Sequence, residues 1–243
     1  MKTIDPTRIK AIQFHPNLSY EDFVRGYRPA TGGTLQLVDG PFLELVDQAR
    51  SHPDHIYALV IEEINRGNPA QVFGEMLTLL EHDKRYPEEA LSLSYTKSTE
   101  ERVYIPRNLL VIGTMNIADR SLALVDLALR RRFAFIDLEP TFGQPWQEWM
   151  QSKTDMPTDV ITDIEQRMLA LNQAISDSAS LGRQFKIGHS YVTPGRGTEV
   201  TDHRRWFRDI VMTEIGPLLE EYWFDDMGCA HTQRDKLLEG WPE

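Results

Sequence analysis

Two carboxylates and one amide, each closing an apolar run, are the residues of this chain best suited to chemistry. YALVIEEINR at 57–66 is an apolar strand that runs directly into Glu62 and Glu63. Ionised carboxylates are costly to desolvate, so a buried strand rarely ends in two of them without a use for the charge. At the mouth of a parallel sheet one could hold Mg²⁺ while the other polarises an attacking water; the plainer reading is a solvated strand end. LLVIGTMN at 109–116 repeats the pattern and ends in the amide of Asn116. Asp119, Arg120 and Ser121 follow, then the apolar-periodic LALVDLAL, closing in Arg130, Arg131 and Arg132. A third run, FAFIDLEP at 133–140, reads as a strand that stops at Pro140. Short buried strands separated by helical patterns indicate an α/β fold with a parallel sheet. Ligands bind at the carboxyl ends of such strands, which makes Glu62, Glu63 and Asn116 neighbours.

The elements that must position these groups are legible in turn. IKAIQF at 9–14 reads as an opening strand, and Ser19 caps a helix over 19–27 with Glu21 and Asp22 in its first turn. Gly-Gly and Asp-Gly turn signals around TLQLV predict a β-hairpin within 29–42, followed by a helix at 41–50. Asn68 and Pro69 mark the start of another helix, with Val72, Phe73, Met76, Leu77 and Leu80 on one buried face. LSLSY at 91–95 and RVYIP at 102–106 suggest a second hairpin just before the Asn116 strand. Residues 141–158 read as a connector, and 159–243 as a helical domain with amphipathic segments at 159–175 and 213–224.

Composition narrows the function classes. A formal charge of −11 over 243 residues leaves no general grip for nucleic acid, so any DNA contact is local or belongs to a partner. The single cysteine, Cys229, excludes an internal disulfide and fits a reducing cytoplasm. The start MKTIDPTRIK has no apolar core of a signal peptide, and no run reaches membrane-spanning length. No H-E-x-x-H or cysteine pair suggests zinc.

Taken in order, IEEINRGN (61–68), EMLTLLEHDKR (75–85), GTMNIADRSLALVDLALRRRF (113–133) and IGHSYV (187–192) resemble the McrB family of AAA+ proteins. These are the GTP-hydrolysing motor subunits of methylation-dependent restriction systems. The likeness runs from about Ile12 to the end, and the string MNxADRS followed by ALRRRF is its most specific part. It implies an AAA+ P-loop NTPase core over 1–140, with a parallel sheet flanked by helices and β-hairpin insertions. A connector at 141–158 and a small helical lid at 159–243 follow. Two departures stand out. The first Walker B acid is Glu62 where the family usually has Asp. The phosphate-cradling G-x-x-x-x-G-K-[ST] loop is missing, there being no Gly-Lys dipeptide in the sequence. By the resemblance, the first strand and its P-loop would lie before Met1.

The resemblance also implies roles. Glu62 would hold Mg²⁺, Glu63 would activate the lytic water, and Asn116 would act as sensor 1. Arg130 or Arg131 would be the finger reaching a neighbouring subunit's nucleotide, with Arg132 structural; cations at a helix C-terminus also have a purely local use. Asp119 and Arg120 would face nucleotide or subunit interface, or cap and pair locally. Asn65 and Arg66 would sense the interface or cap the helix entry. His189 would approach the phosphates from the lid, or simply pack. The implied partners are further copies of the chain in a ring, a hexamer by analogy, a McrC-like nuclease subunit, and DNA through other domains or that partner. The implied substrate is GTP or ATP. A chain without its P-loop would instead be an incompetent module acting in assembly or regulation.

Overall fold

The computed structural model describes residues 4–116, 118, 127–195 and 197–241. Contacts divide the chain into two compact units, Met1–Phe135 and Ile136–Glu243.

The first unit is built on a parallel sheet of β1 (Ile9–Gln13), β4 (Tyr57–Glu62) and β5 (Leu109–Gly113), in the order β1-β4-β5. Before β4 come α1 (Tyr20–Phe23), β2 (Arg25–Pro29), β3 (Leu35–Asp39) and α2 (Pro41–Ser51); α3 (Pro69–Phe73) follows it. After β5 the chain forms α4 (Leu127–Arg130). Tyr57 pairs with Leu109 and Ile61 with Gly113, so β4 and β5 end side by side. One face of the sheet, with Leu59, Ile61 and Leu109, closes on the aromatic core of Phe14, Phe23, Phe42 and Phe73. The other face carries two apolar rows, Ile9–Ala58–Leu110 and Ala11–Val60–Ile112. Ile9, Leu110 and Ile112 stay 42–48% exposed there.

Several expected elements take another form. The helix expected over 19–27 has its Ser19 cap, in a reciprocal box with Asp22, but stops at Phe23. The chain then enters β2, because Arg25 is drawn into a buried ion cluster with Asp39 and Glu101. The hairpin therefore pairs 25–29 with 35–39 and turns through Gly32 and Gly33, both at positive φ. Asn68 caps α3 as expected, yet α3 ends at Gly74 (φ +53), where a Cβ would sit 2.8 Å from the Tyr20 ring. A 3₁₀ stretch, Gly74–Leu80, continues the path, and all five residues of the expected stripe are buried. The second hairpin reduces to a single antiparallel bridge between Leu91 and Val103.

FAFIDLEP is not a strand. Phe135, Ile136 and Leu138 are exposed, Leu138 by 90%. A strand needs a partner for its backbone groups, and no described strand pairs with these residues.

The second unit is helical: α5 (Gln144–Lys153), α6 (Thr158–Asp177), α7 (His203–Ile210), α8 (Gly216–Tyr222) and α9 (Met227–Leu238). The stretch read as a connector thus contains α5, whose Trp146 and Met150 are buried. A π turn, Val211–Ile215, joins α7 to α8 without a break. It takes the chain through Pro217, which would otherwise clash with the preceding turn. Buried Asn172 pins the irregular segment by exchanging two hydrogen bonds with the backbone of Ile187. Trp241 donates to Asp163 and lies against the guanidinium groups of Arg167 and Arg204.

Candidate active site

The carboxyl end of β4 is where apolar sequence gives way to charge. Tyr57 through Leu59 and Ile61 are buried because β4 is flanked on both sides, whereas Glu62 breaks out into solvent. Its backbone carbonyl stays in the sheet, accepting the Phe14 N–H at 2.8 Å. Its carboxylate has no partner among the described residues, so it is free to take a cation.

Glu63 is shaped differently. It is the one non-glycine residue at positive φ (55°) among those described, and this sharp bend turns the chain away from the sheet. Two bonds to Thr114, just past β5, lock the bend. The Glu63 N–H reaches Thr114 Oγ1 at 3.4 Å, and the Ile64 N–H donates to the Thr114 carbonyl at 3.0 Å. The half-buried Glu63 carboxylate accepts from Arg66 Nε at 3.2 Å. Thr114 went unnoticed at the sequence level; its only signal was its place between the β5 run and Asn116.

Asn116 lies on the adjacent strand end. Its Oδ1 accepts the Ala118 N–H at 3.0 Å, and its backbone carbonyl accepts the Asn65 side-chain amide at 3.4 Å. The Nδ2 hydrogens of Asn116 have no acceptor among the described residues. Asn65 Oδ1 is buried and has no donor among the described residues. The structure therefore gathers Glu62, Glu63, Asn65, Arg66 and Asn116 at one end of the sheet.

The triple arginine lies at the end of α4 and divides. Arg132 is half-buried and paired with Glu81 at 2.7 Å. Arg130 is exposed, with its guanidinium 5.8 Å from the Phe135 ring centre. Arg131 is exposed with no partner among the described residues. In the second unit, His189 Nδ1 accepts the Thr141 N–H at 3.3 Å and its ring meets Phe142 edge-on. The neutral ring then carries its proton on Nε2. Asp119 and Arg120 lie outside the described residues.

The family model for the AAA domain (dynein-related subfamily) matches residues 1–133, and that for the McrB alpha-helical lid domain matches residues 163–231. The chain belongs to the AAA family. Within it the chain is McrB-like: it is 46% identical over 235 residues to the type IV methyl-directed restriction enzyme EcoKMcrB subunit of Escherichia coli K12. That match covers 96% of this chain and 51% of the relative. A type II restriction enzyme BsuMI component, YdiS of Bacillus subtilis 168, is 31% identical over 130 residues. Here the match covers 50% of this chain and 37% of the relative. The chain thus spans about half the length of the first relative and less of the second.

The donors of this AAA site can be tested against a nucleotide and Mg²⁺. An exposed, unpartnered carboxylate fits Mg²⁺, which keeps several waters and takes one or two protein oxygens beside the phosphates. The described residues hold no cluster of three or more His, Cys, Asp or Glu that could cage a metal by itself. A single carboxylate of this kind suits an ion that takes its other ligands from water and phosphate. No Gly-Lys loop in the sequence provides a cradle for those phosphates. No described helix is long and apolar enough to cross a membrane.

Proposed function

We propose that this chain forms the larger part of a McrB-type motor that hydrolyses GTP or ATP at the interfaces of a ring, a hexamer by analogy, in the cytoplasm. The motor would drive a McrC-like nuclease subunit on modified DNA, with DNA read by other domains or by that partner. The observation that carries this reading is the meeting of Glu62, Glu63 and Asn116 at the ends of paired parallel strands, with the Glu62 carboxylate and the Asn116 amide hydrogens unpartnered among the described residues. The restriction systems named for both relatives support it.

In this reading Glu62 holds Mg²⁺, directly or through water. The ion, when bound, supplies charge neutralisation along the phosphates. Glu63 orients the attacking water and accepts its proton, which requires its carboxylate to leave Arg66. Asn116 donates from Nδ2 to the γ-phosphate or to that water. Arg131, or Arg130 once it leaves the Phe135 ring, reaches the neighbouring subunit's nucleotide and stabilises charge in the transition state. Asp119 and Arg120 face the nucleotide or the interface, and His189 offers its Nε2–H from the lid. The boundaries 1–140, 141–158 and 159–243 remain our division into core, connector and lid. The half-exposed apolar face of the sheet suits a further strand and helix, carrying the phosphate loop, that complete the sheet.

A second reading concerns these 243 residues alone. Without a Gly-Lys loop they bind nucleotide weakly and act only in assembly or regulation. Assaying GTP and ATP turnover by the whole protein, beside the 243-residue chain, separates the readings. Turnover by the whole protein only is expected. No turnover of either nucleotide by either protein would overturn the motor assignment.

A further inference from the structure

We propose that Glu81 is a positioning residue for the arginine finger, holding the end of α4 in register through Arg132. The inference rests on the ring-hydrolysis reading above.

The three arginines are chemically alike and structurally unlike. The Arg132 side chain is only 17% exposed and turns inward to Glu81, itself 33% exposed, while Arg130 and Arg131 face solvent. The N–H groups of Arg132 and Phe133 both donate to the Leu129 carbonyl, at 2.9 and 3.0 Å, and Leu129 is buried in the core. Arg132 is thus at once the side-chain anchor and part of the backbone turn that ends α4. Three successive cations repel one another, and Glu81 is the one carboxylate paired with any of them among the described residues.

Glu81 stands on a fixed platform. Leu79 and Leu80, immediately before it, are buried. Just after it, Arg85 donates to the carbonyl of Leu109, the first residue of β5. Arg107 bonds the Tyr86 hydroxyl at 2.9 Å, stacks on that ring and meets His82 Nε2 at 3.2 Å. The segment carrying Glu81 is therefore tied to the strand that leads to Asn116. Removing its charge takes the carboxylate away from a guanidinium that is 17% exposed, and so weakens the side-chain hold on the turn that carries Arg130 and Arg131. Misplacing a charge-stabilising group by about 1 Å can cost up to about 10²-fold in rate.

The test uses the whole protein and steady-state hydrolysis. Glu81→Gln should lower kcat by about tenfold or more, with KM and nucleotide binding unchanged. In a background of Arg130→Ala with Arg131→Ala it should cause no further loss, since the group it positions is gone. The charge-reversed pair Glu81→Arg with Arg132→Glu should regain most of the rate, which a mere loss of fold would not allow. Unchanged turnover in Glu81→Gln overturns the proposal, as does a rise in KM equal to the fall in kcat, or a loss that multiplies with the arginine substitutions. Absence of turnover in the unaltered protein would be a different failure, that of the hydrolysis reading on which the proposal stands.

Discussion

Two asparagines bracket β5, and their surroundings could hardly differ more. Asn108, before the strand, shares its two amide hydrogens among the carbonyls of Ala49, His52 and His55 at 2.9, 3.1 and 2.7 Å. Its own carbonyl accepts the Tyr57 N–H at 2.8 Å, so it stitches α2, β4 and β5 together. Asn116, after the strand, is exposed, and its amide hydrogens meet no acceptor among the described residues. At the amino end Asn108 is satisfied internally, while at the carboxyl end the Glu62 carboxylate and the Asn116 amide hydrogens meet no partner among the described residues. Asn108, half-buried and saturated, suits a role in stability; Asn116, exposed beside the unpartnered Glu62, suits the chemistry proposed above.

The contrast can be broken by substitution. In the whole protein, Glu63→Gln or Asn116→Ala should lower turnover by about 10²-fold or more while leaving the melting temperature nearly unchanged. A melting shift as large as that of Asn108→Ala would erase the distinction between the two ends. Asn108→Ala should do the reverse, costing about 2–3 kcal/mol in urea unfolding by leaving carbonyls without donors. A third substitution sharpens the stability side. Hydrogen bonds from Arg25 hold the Glu101 carboxyl below its ordinary range. A depressed carboxylate contributes stability that is complete above its unfolded pKa and is lost as pH falls through the lower, folded one. Melting temperature should therefore drop on acidification below about pH 4.5, and Glu101→Gln should flatten that slope at a cost near neutrality. The smallest effect belongs to Asn68→Ala, which removes the α3 cap and should cost about 1 kcal/mol. Circular dichroism melts are sufficient to see it.

What the sequence made legible follows the range of the forces involved. The Ser19 and Asn68 caps and the strand ending in Glu62 and Glu63 are decided within a few residues, and each was readable. The α3 break was not, because Gly74 adopts positive φ against the ring of Tyr20, far away in sequence. Nor was the early end of α1, since Arg25 leaves the helix for carboxylates at 39 and 101. FAFIDLEP has the composition of a strand and lacks only a neighbour, which no local pattern can supply. At the candidate site the residue types were readable from motif and resemblance. The Arg66 contact to Glu63, the lock by Thr114 and the inward turn of Arg132 depend on three-dimensional placement.

The bend at Glu63 carries a further consequence. A side chain bearing a Cβ is uncomfortable at φ 55°, by about 1–2 kcal/mol, and glycine is not. Glu63→Gly would then fold at least as well as the unaltered chain while being chemically mute. On the role proposed for Glu63, the strain at this corner is what the molecule gives up in robustness to keep one carboxylate there.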